Sequence, residues 1–193
     1  MKKLNVVSGL LVVMMLLGAL ILLASGIMNA NEKEVRFRRV PWGCTIEDIK
    51  RGELGELLVE HPTMLIYKDW VDGSEVVCTF GIVNHRFMWG GYAFLDIHSN
   101  KNFFIGDFYS RDNLLREKYG PPREHEVIWL NDLYKDDPNN WGLAVSMGHL
   151  QMSSEWKIGK VSILHILFSD DGEIDHLIKY THDGMEKIEG SLL

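Results

Sequence analysis

Polar and apolar positions along this chain change rhythm several times, and each change marks an element. Residues 6–28 form an apolar run with no charged side chain, preceded by Lys2 and Lys3. Residues 29–34 are polar and read as a linker. Residues 35–40 alternate as a short edge strand does, and Pro41-Trp42-Gly43 breaks the alternation. Thr45 is a suitable N-cap, Glu47 and Asp48 occupy the first turn, and Ile46, Ile49, Leu54, Leu57 and Leu58 supply an apolar side. A helix is therefore expected there, imperfect at Gly52 and Gly55. Strand-like stretches follow at 64–67, 76–83 and 87–97, punctuated by Asp72-Gly73 and Asn84-His85.

The rhythm then starts again. Ser110 can cap a helix carrying Leu114, Leu115 and Tyr119, with Tyr109 placed to staple onto Leu114, and Gly120-Pro121-Pro122 ends it. Further strands are expected at 127–130, 143–147, 150–156, 161–168 and 174–180, with a polar loop at 131–140. Asp170-Asp171-Gly172-Glu173 joins the last two as a hairpin. The expected fold class is α+β: two helix-plus-antiparallel-meander repeats forming one domain at 35–183, preceded by the apolar segment and followed by a tail at 184–193. Such a length is adequate for a single core.

The apolar run changes the picture of where the domain works. A basic start followed by residues 6–28 reads as a secretory signal peptide or an uncleaved N-terminal membrane anchor. Ala24-Ser25-Gly26 offers small residues for cleavage, while the run approaches the roughly 20 residues that span hydrocarbon. Both readings place the domain outside the cytoplasm, in the periplasm or at the cell surface.

Charge excludes one class of partner. The formal net charge of −7 becomes −9 without Lys2 and Lys3, since residues 1–28 hold no acid. Nucleic-acid affinity rests on clustered Lys and Arg, so no nucleic-acid partner is expected. Arg36, Arg38 and Arg39 are a local exception and read as a solvated strand face.

Val40-Pro41-Trp42-Gly43-Cys44-Thr45-Ile46-Glu47-Asp48-Ile49, Leu114-Leu115-Arg116-Glu117-Lys118-Tyr119-Gly120-Pro121-Pro122, Trp156 and residues 163–180 carry a resemblance. They resemble uncharacterised bacterial exported proteins that open with a Trp-Gly-x-Ser/Thr helix start and pass through a Lys-Tyr-Gly-x-Pro helix end into a closing meander. The second half is also similar to the small outer-membrane-assembly lipoproteins of the SmpA/OmlA type. Their acylated Cys has no counterpart here. The resemblance covers most of residues 40–182 and implies a fold more than a function.

Candidate chemistry is sparse. Cys44 and Cys78 are a disulfide candidate for an oxidising compartment, closing a loop of about 34 residues worth a few kcal/mol. Cys44 also stands at an expected helix start, a position that can lower a thiol pKa. If the last hairpin turns at Asp171-Gly172, Leu167 faces His176 and His165 faces Ile178, which sets His165 and His176 diagonally on one face as candidate metal ligands without an evident third. His98, His125, His149 and His182 are scattered. The Asp-rich turns lack the ligand order of a calcium loop, and no nucleophile elbow or phosphate-binding glycine loop occurs. No cofactor is expected.

Phe87, Trp89, Tyr92, Phe94, Phe103, Phe104, Phe108 and Tyr109 read mainly as core, and otherwise as a peptide- or lipid-facing groove. The expectation is a non-enzymatic envelope module that binds another envelope protein or a small apolar or peptide ligand through its sheet. The alternative is an envelope hydrolase using a Cys thiol or a His metal site.

Overall fold

A computed structural model describes residues 35–184 of the chain; the segments expected at 1–28 and 29–34, and the tail beyond Gly184, lie outside the described residues. Eight strands form one continuous antiparallel sheet: β1 (Glu56–His61), β2 (Met64–Val71), β3 (Ser74–Val83), β4 (Arg86–Phe94), β5 (Glu124–Trp129), β6 (Leu150–Ile158), β7 (Val161–Asp170) and β8 (Glu173–His182). Their order is β1-β2-β3-β4-β8-β7-β6-β5, so β4 pairs with β8 at the centre, and β1 and β5 are the two edges. Three helices accompany it: α1 (Ile46–Gly52), α2 (Asn102–Tyr119) and α3 (Trp141–Ser146).

This corrects the expected pair of helix-plus-meander repeats. The chain forms a single sheet, and the segments before its two halves are unlike. Before the first half stands α1, a seven-residue helix; before the second stands α2, with eighteen residues, and α3 and two 3-10 turns interrupt that half.

Individual boundaries differ for local reasons. Thr45 does cap α1, with a reciprocal capping box to Asp48. The helix nevertheless stops at Gly52, and Leu57 and Leu58 belong to β1. Residues 35–40 form no strand; a single bridge joins Phe37 to Val40, and Phe37 is fully buried. The second helix begins at Asn102, upstream of Ser110, which lies within it; it ends as expected at Gly120, whose φ of 85° suits glycine. Residues 143–147, read as a strand, fall largely in α3. The last hairpin turns through Asp171 and Gly172 at φ 49° and 84°, and its register sets Leu167 against His176 and His165 against Ile178, as the sequence predicts.

All three helices put their buried side chains on one face of the sheet, here called the front. Phe37, Val40 and Ile49 pack there against Phe80, Phe87 and Tyr180. Phe104, Ile105 and Phe108 of α2, with Ala144 and Val145 of α3, pack against Leu150, Met152 and Leu167. Gly90 is required by this packing: the Phe37 ring lies where a Cβ would sit, 2.4 Å away.

Candidate functional site

The front face of β7 and β8 carries the two candidate metal ligands, and the structure brings them together. His165 and His176 touch through their Nε2 atoms at 2.8 Å. Their rings stack with centroids 5.0 Å apart, and Phe108 lies flat on His165 at 4.3 Å. Arg111 of α2 reaches the other nitrogen of His176, Nη1 to Nδ1 at 2.8 Å. The same guanidinium donates to Asp96 Oδ2 at 2.5 Å and Ser74 Oγ at 2.7 Å, and it covers the Phe94 ring at 3.7 Å.

Arginine only donates, which fixes the direction of the whole chain of bonds. His176 Nδ1 must accept from Arg111, so its proton sits on Nε2 and points at His165 Nε2. His165 Nε2 must accept, so its own proton sits on Nδ1, 3.6 Å from Asp112 Oδ1. That last separation is too long for a hydrogen bond and acts as an electrostatic contact. Both imidazoles are neutral in this arrangement. An added proton on either would set two donors against each other.

Electrostatics agree with the bonding. Burial pushes His165 below its usual range, against the pull of Asp112. His176 is held well below by burial, then by the proximity of His165 and Arg111. Burial alone would raise Asp112, yet His165, Ser154 and Arg116 together hold its carboxyl well below the ordinary carboxylate range. Arg116 Nε donates to Asp112 Oδ2 at 2.5 Å.

This cluster is sealed. His165 is 0% and His176 2% exposed, so a substrate cannot reach either. No group of three or more metal-ligating side chains occurs among the described residues, and Arg111 already takes the Nδ1 lone pair of His176. His125 is near the cluster through Ser154 Oγ, 2.8 Å from its Nδ1, and His98 instead pairs with Asp107 at 2.6 Å. His149 and His182 lie elsewhere, against Tyr134 and Trp42.

The two cysteines are free thiols and are not bonded to each other. Cys44 O accepts from Phe87 N, whereas Cys78 sits opposite Tyr92. Phe87 and Tyr92 are roughly 16 Å apart along β4 at about 3.3 Å per residue, far beyond disulfide reach. Cys78 accepts from Arg38 Nη1 at 3.4 Å, within a cluster where Arg38, at φ 56°, also pairs with Glu53 and Asp69. Burial pushes the Cys78 thiol up to about 12 despite Arg38. Cys44 is raised as well, by burial and then by Asp48, the reverse of the activation its helix-start position suggested.

Among the described residues, the two edges of the sheet offer backbone to another molecule. Every residue of β1 is exposed, but a bulge between Leu57 and Val59 interrupts its ladder, and Lys50 clips Glu60 at 2.8 Å. The β5 edge is regular. Its six residues pair in unbroken register with β6, from Glu124 opposite Glu155 to Trp129 opposite Leu150. Val127 is 38% and Ile128 40% exposed, and Leu130 just beyond is 63% exposed. Alternate residues of an edge strand direct their N–H and C=O groups outward, ready to pair with an added strand.

The sequence reading missed this edge because 127–130 looked like one short strand among many. Its signal was Glu124-His125-Glu126 continuing the strand upstream, directly after the Pro121-Pro122 break. The expected aromatic groove is largely filled: Phe87, Phe94, Phe104 and Phe108 are buried, while Phe103 is exposed. Comparison of the chain with protein families, curated proteins and solved structures returns no match.

Proposed function

We propose that residues 35–184 form a non-enzymatic recognition module, placed outside the cytoplasm by the apolar segment at 6–28, that binds an extended segment of another envelope protein along its open sheet edge. The regular, exposed β5 strand carries this reading. Strand addition draws affinity from main-chain hydrogen bonds and specificity from alternate side chains, and β5 supplies both. The closed histidine cluster and the raised thiols favour recognition over hydrolysis, because neither offers an accessible, activated group.

Photo-crosslinking tests the reading in the native membrane. A photoreactive residue replacing His125 in the full-length chain is expected to give an adduct of discrete mass with one envelope protein. The same probe at Ser162, on the interior strand β7, is expected to give none. Equal labelling at both positions, or no adduct at 125, overturns it.

A further inference from the structure

We infer that the β5 edge selects an extended segment in which Lys or Arg alternates with apolar residues. This rests on the strand-addition reading and assigns the chemistry of its partner. In an antiparallel ladder, paired residues share a face, so the register places Glu124, Glu155 and Glu126 together on the back of the sheet at this edge. Glu124 stands directly opposite Glu155, a like-charge pair that costs stability in a sheet. Burial and then repulsion from Glu124 and Glu126 raise the Glu155 carboxyl.

Compensation within the fold is thin. Arg123 pairs with Glu124 at 3.5 Å, and its pull on Glu155 is weaker than the repulsion from Glu124 and Glu126. Lys157, the next back-face residue of β6, is engaged by Ser162 and Asp183. A strand added outside β5 would bring every second side chain to this back face, two of them beside Glu124 and Glu126. Cations there relieve the repulsion. The intervening side chains would fall on the front face beside His125, Val127 and Trp129, where apolar residues extend the exposed surface of Val127.

Edge β1 has no comparable demand. Its Glu60 is paired with Lys50, and Glu56 sits opposite Lys68. The inference therefore belongs to β5 alone.

Fluorescence-anisotropy titration of the full-length chain with labelled eight-residue peptides tests it. One peptide alternates Lys with Val, one Ser with Val and one Glu with Val. The Lys peptide is expected to bind about tenfold more tightly than the Glu peptide, from two cross-strand pairs changed from attractive to repulsive. The Glu124→Gln/Glu126→Gln variant should remove that preference, and added salt should weaken it. Equal binding of all three peptides leaves strand addition standing and overturns the charge selection. Binding of the Lys peptide that survives both Val127→Pro and Val127→Lys overturns the edge as its site. Failure of every peptide to bind overturns the strand-addition reading itself.

Discussion

One face of one sheet is built in two different ways. Beneath β3 and β4 it is filled by rings: Phe37 meets Phe80 edge-on at 5.2 Å, Tyr92 at 4.9 Å and Tyr180 at 5.4 Å. Beneath β7 and β8 the same face carries two imidazoles and a guanidinium joined end to end. Both regions are closed to water, but their energies have different dependences. Ring packing is nearly indifferent to pH and tolerates small shifts. A donor-to-acceptor chain holds only while each member keeps its proton assignment, and an unpaired member inside costs more than the bond itself contributed. The polar half therefore holds α2 to the sheet conditionally, and the aromatic half holds the segment around Phe37 unconditionally.

Arg111→Met breaks the conditional half most severely. It strips Asp96 of its partner, leaves His176 Nδ1 without a donor and removes the link to Ser74. Removing one member of a buried charged set costs about 3–5 kcal/mol, and urea denaturation at pH 7 should show a loss in the upper part of that range. Arg111→Lys is expected to recover only part of it, because one ammonium cannot reproduce the planar fork. In the aromatic half, Phe37→Ala should cost about 3–4 kcal/mol by the same measurement, from lost contacts and the void left over Gly90. The two variants differ in what pH does to them.

Both histidines are depressed in the folded state, so the unfolded chain takes up protons first as pH falls. Stability is then complete above the unfolded value of about 6.5 and declines as pH drops below it, at up to about 1.4 kcal/mol per unit for each imidazole. Other charged groups around the rings are Asp112 and Arg111 on α2 and Asp96 after β4, with the His125 ring on β5 nearby. Asp112, held low, contributes its own loss only below the ordinary carboxylate range. Urea midpoints between pH 7.5 and pH 5 should fall for the intact chain and fall in parallel for Phe37→Ala. A flat profile for the intact chain would contradict the proton assignment, while a steeper one for Phe37→Ala would mean the two halves are not separate.

How much of this was legible beforehand follows from the physics of each element. The hairpin at Asp171-Gly172 was readable because two residues at positive φ leave few alternatives, and its register followed from the turn. The start of α2 was not, because its inward face reads Phe104, Ile105, Phe108, Arg111, Asp112 and Leu115, and two charged residues interrupt the apolar stripe. Those same two residues belong to the buried cluster. The pairing of His165 with His176 could be derived from strand register, but the Arg111 contact to His176 Nδ1 could not, since Arg111 arrives from a helix distant in sequence. Residues 143–147 misled because Leu143, Ala144 and Val145 are apolar in any conformation, and a short run does not separate strand from helix.

The smallest expected effect sharpens the pH comparison from the opposite side. Asp175 lies on β8 next to His176, paired with Phe168, and its carboxyl is raised to about 6 by burial, then by Asp170 and Glu173. Its sign is the reverse of the histidines': between the unfolded value near 3.8 and about 6 the folded chain binds the extra proton, so this group, like the raised Glu155, favours folding as pH falls. It therefore masks part of the histidine loss in that window. Asp175→Asn fixes the half-buried side chain in a neutral form, which should raise stability at pH 7 by about 1 kcal/mol. The gain should shrink as pH falls through 6 and vanish below 3.8, where aspartate is protonated in both states. Thermal unfolding of the variant at pH 7 and pH 5 measures this. Because the masking term is removed, the decline below pH 6.5 should become steeper in Asp175→Asn than in the intact chain, and an unchanged slope would place the titrating group elsewhere.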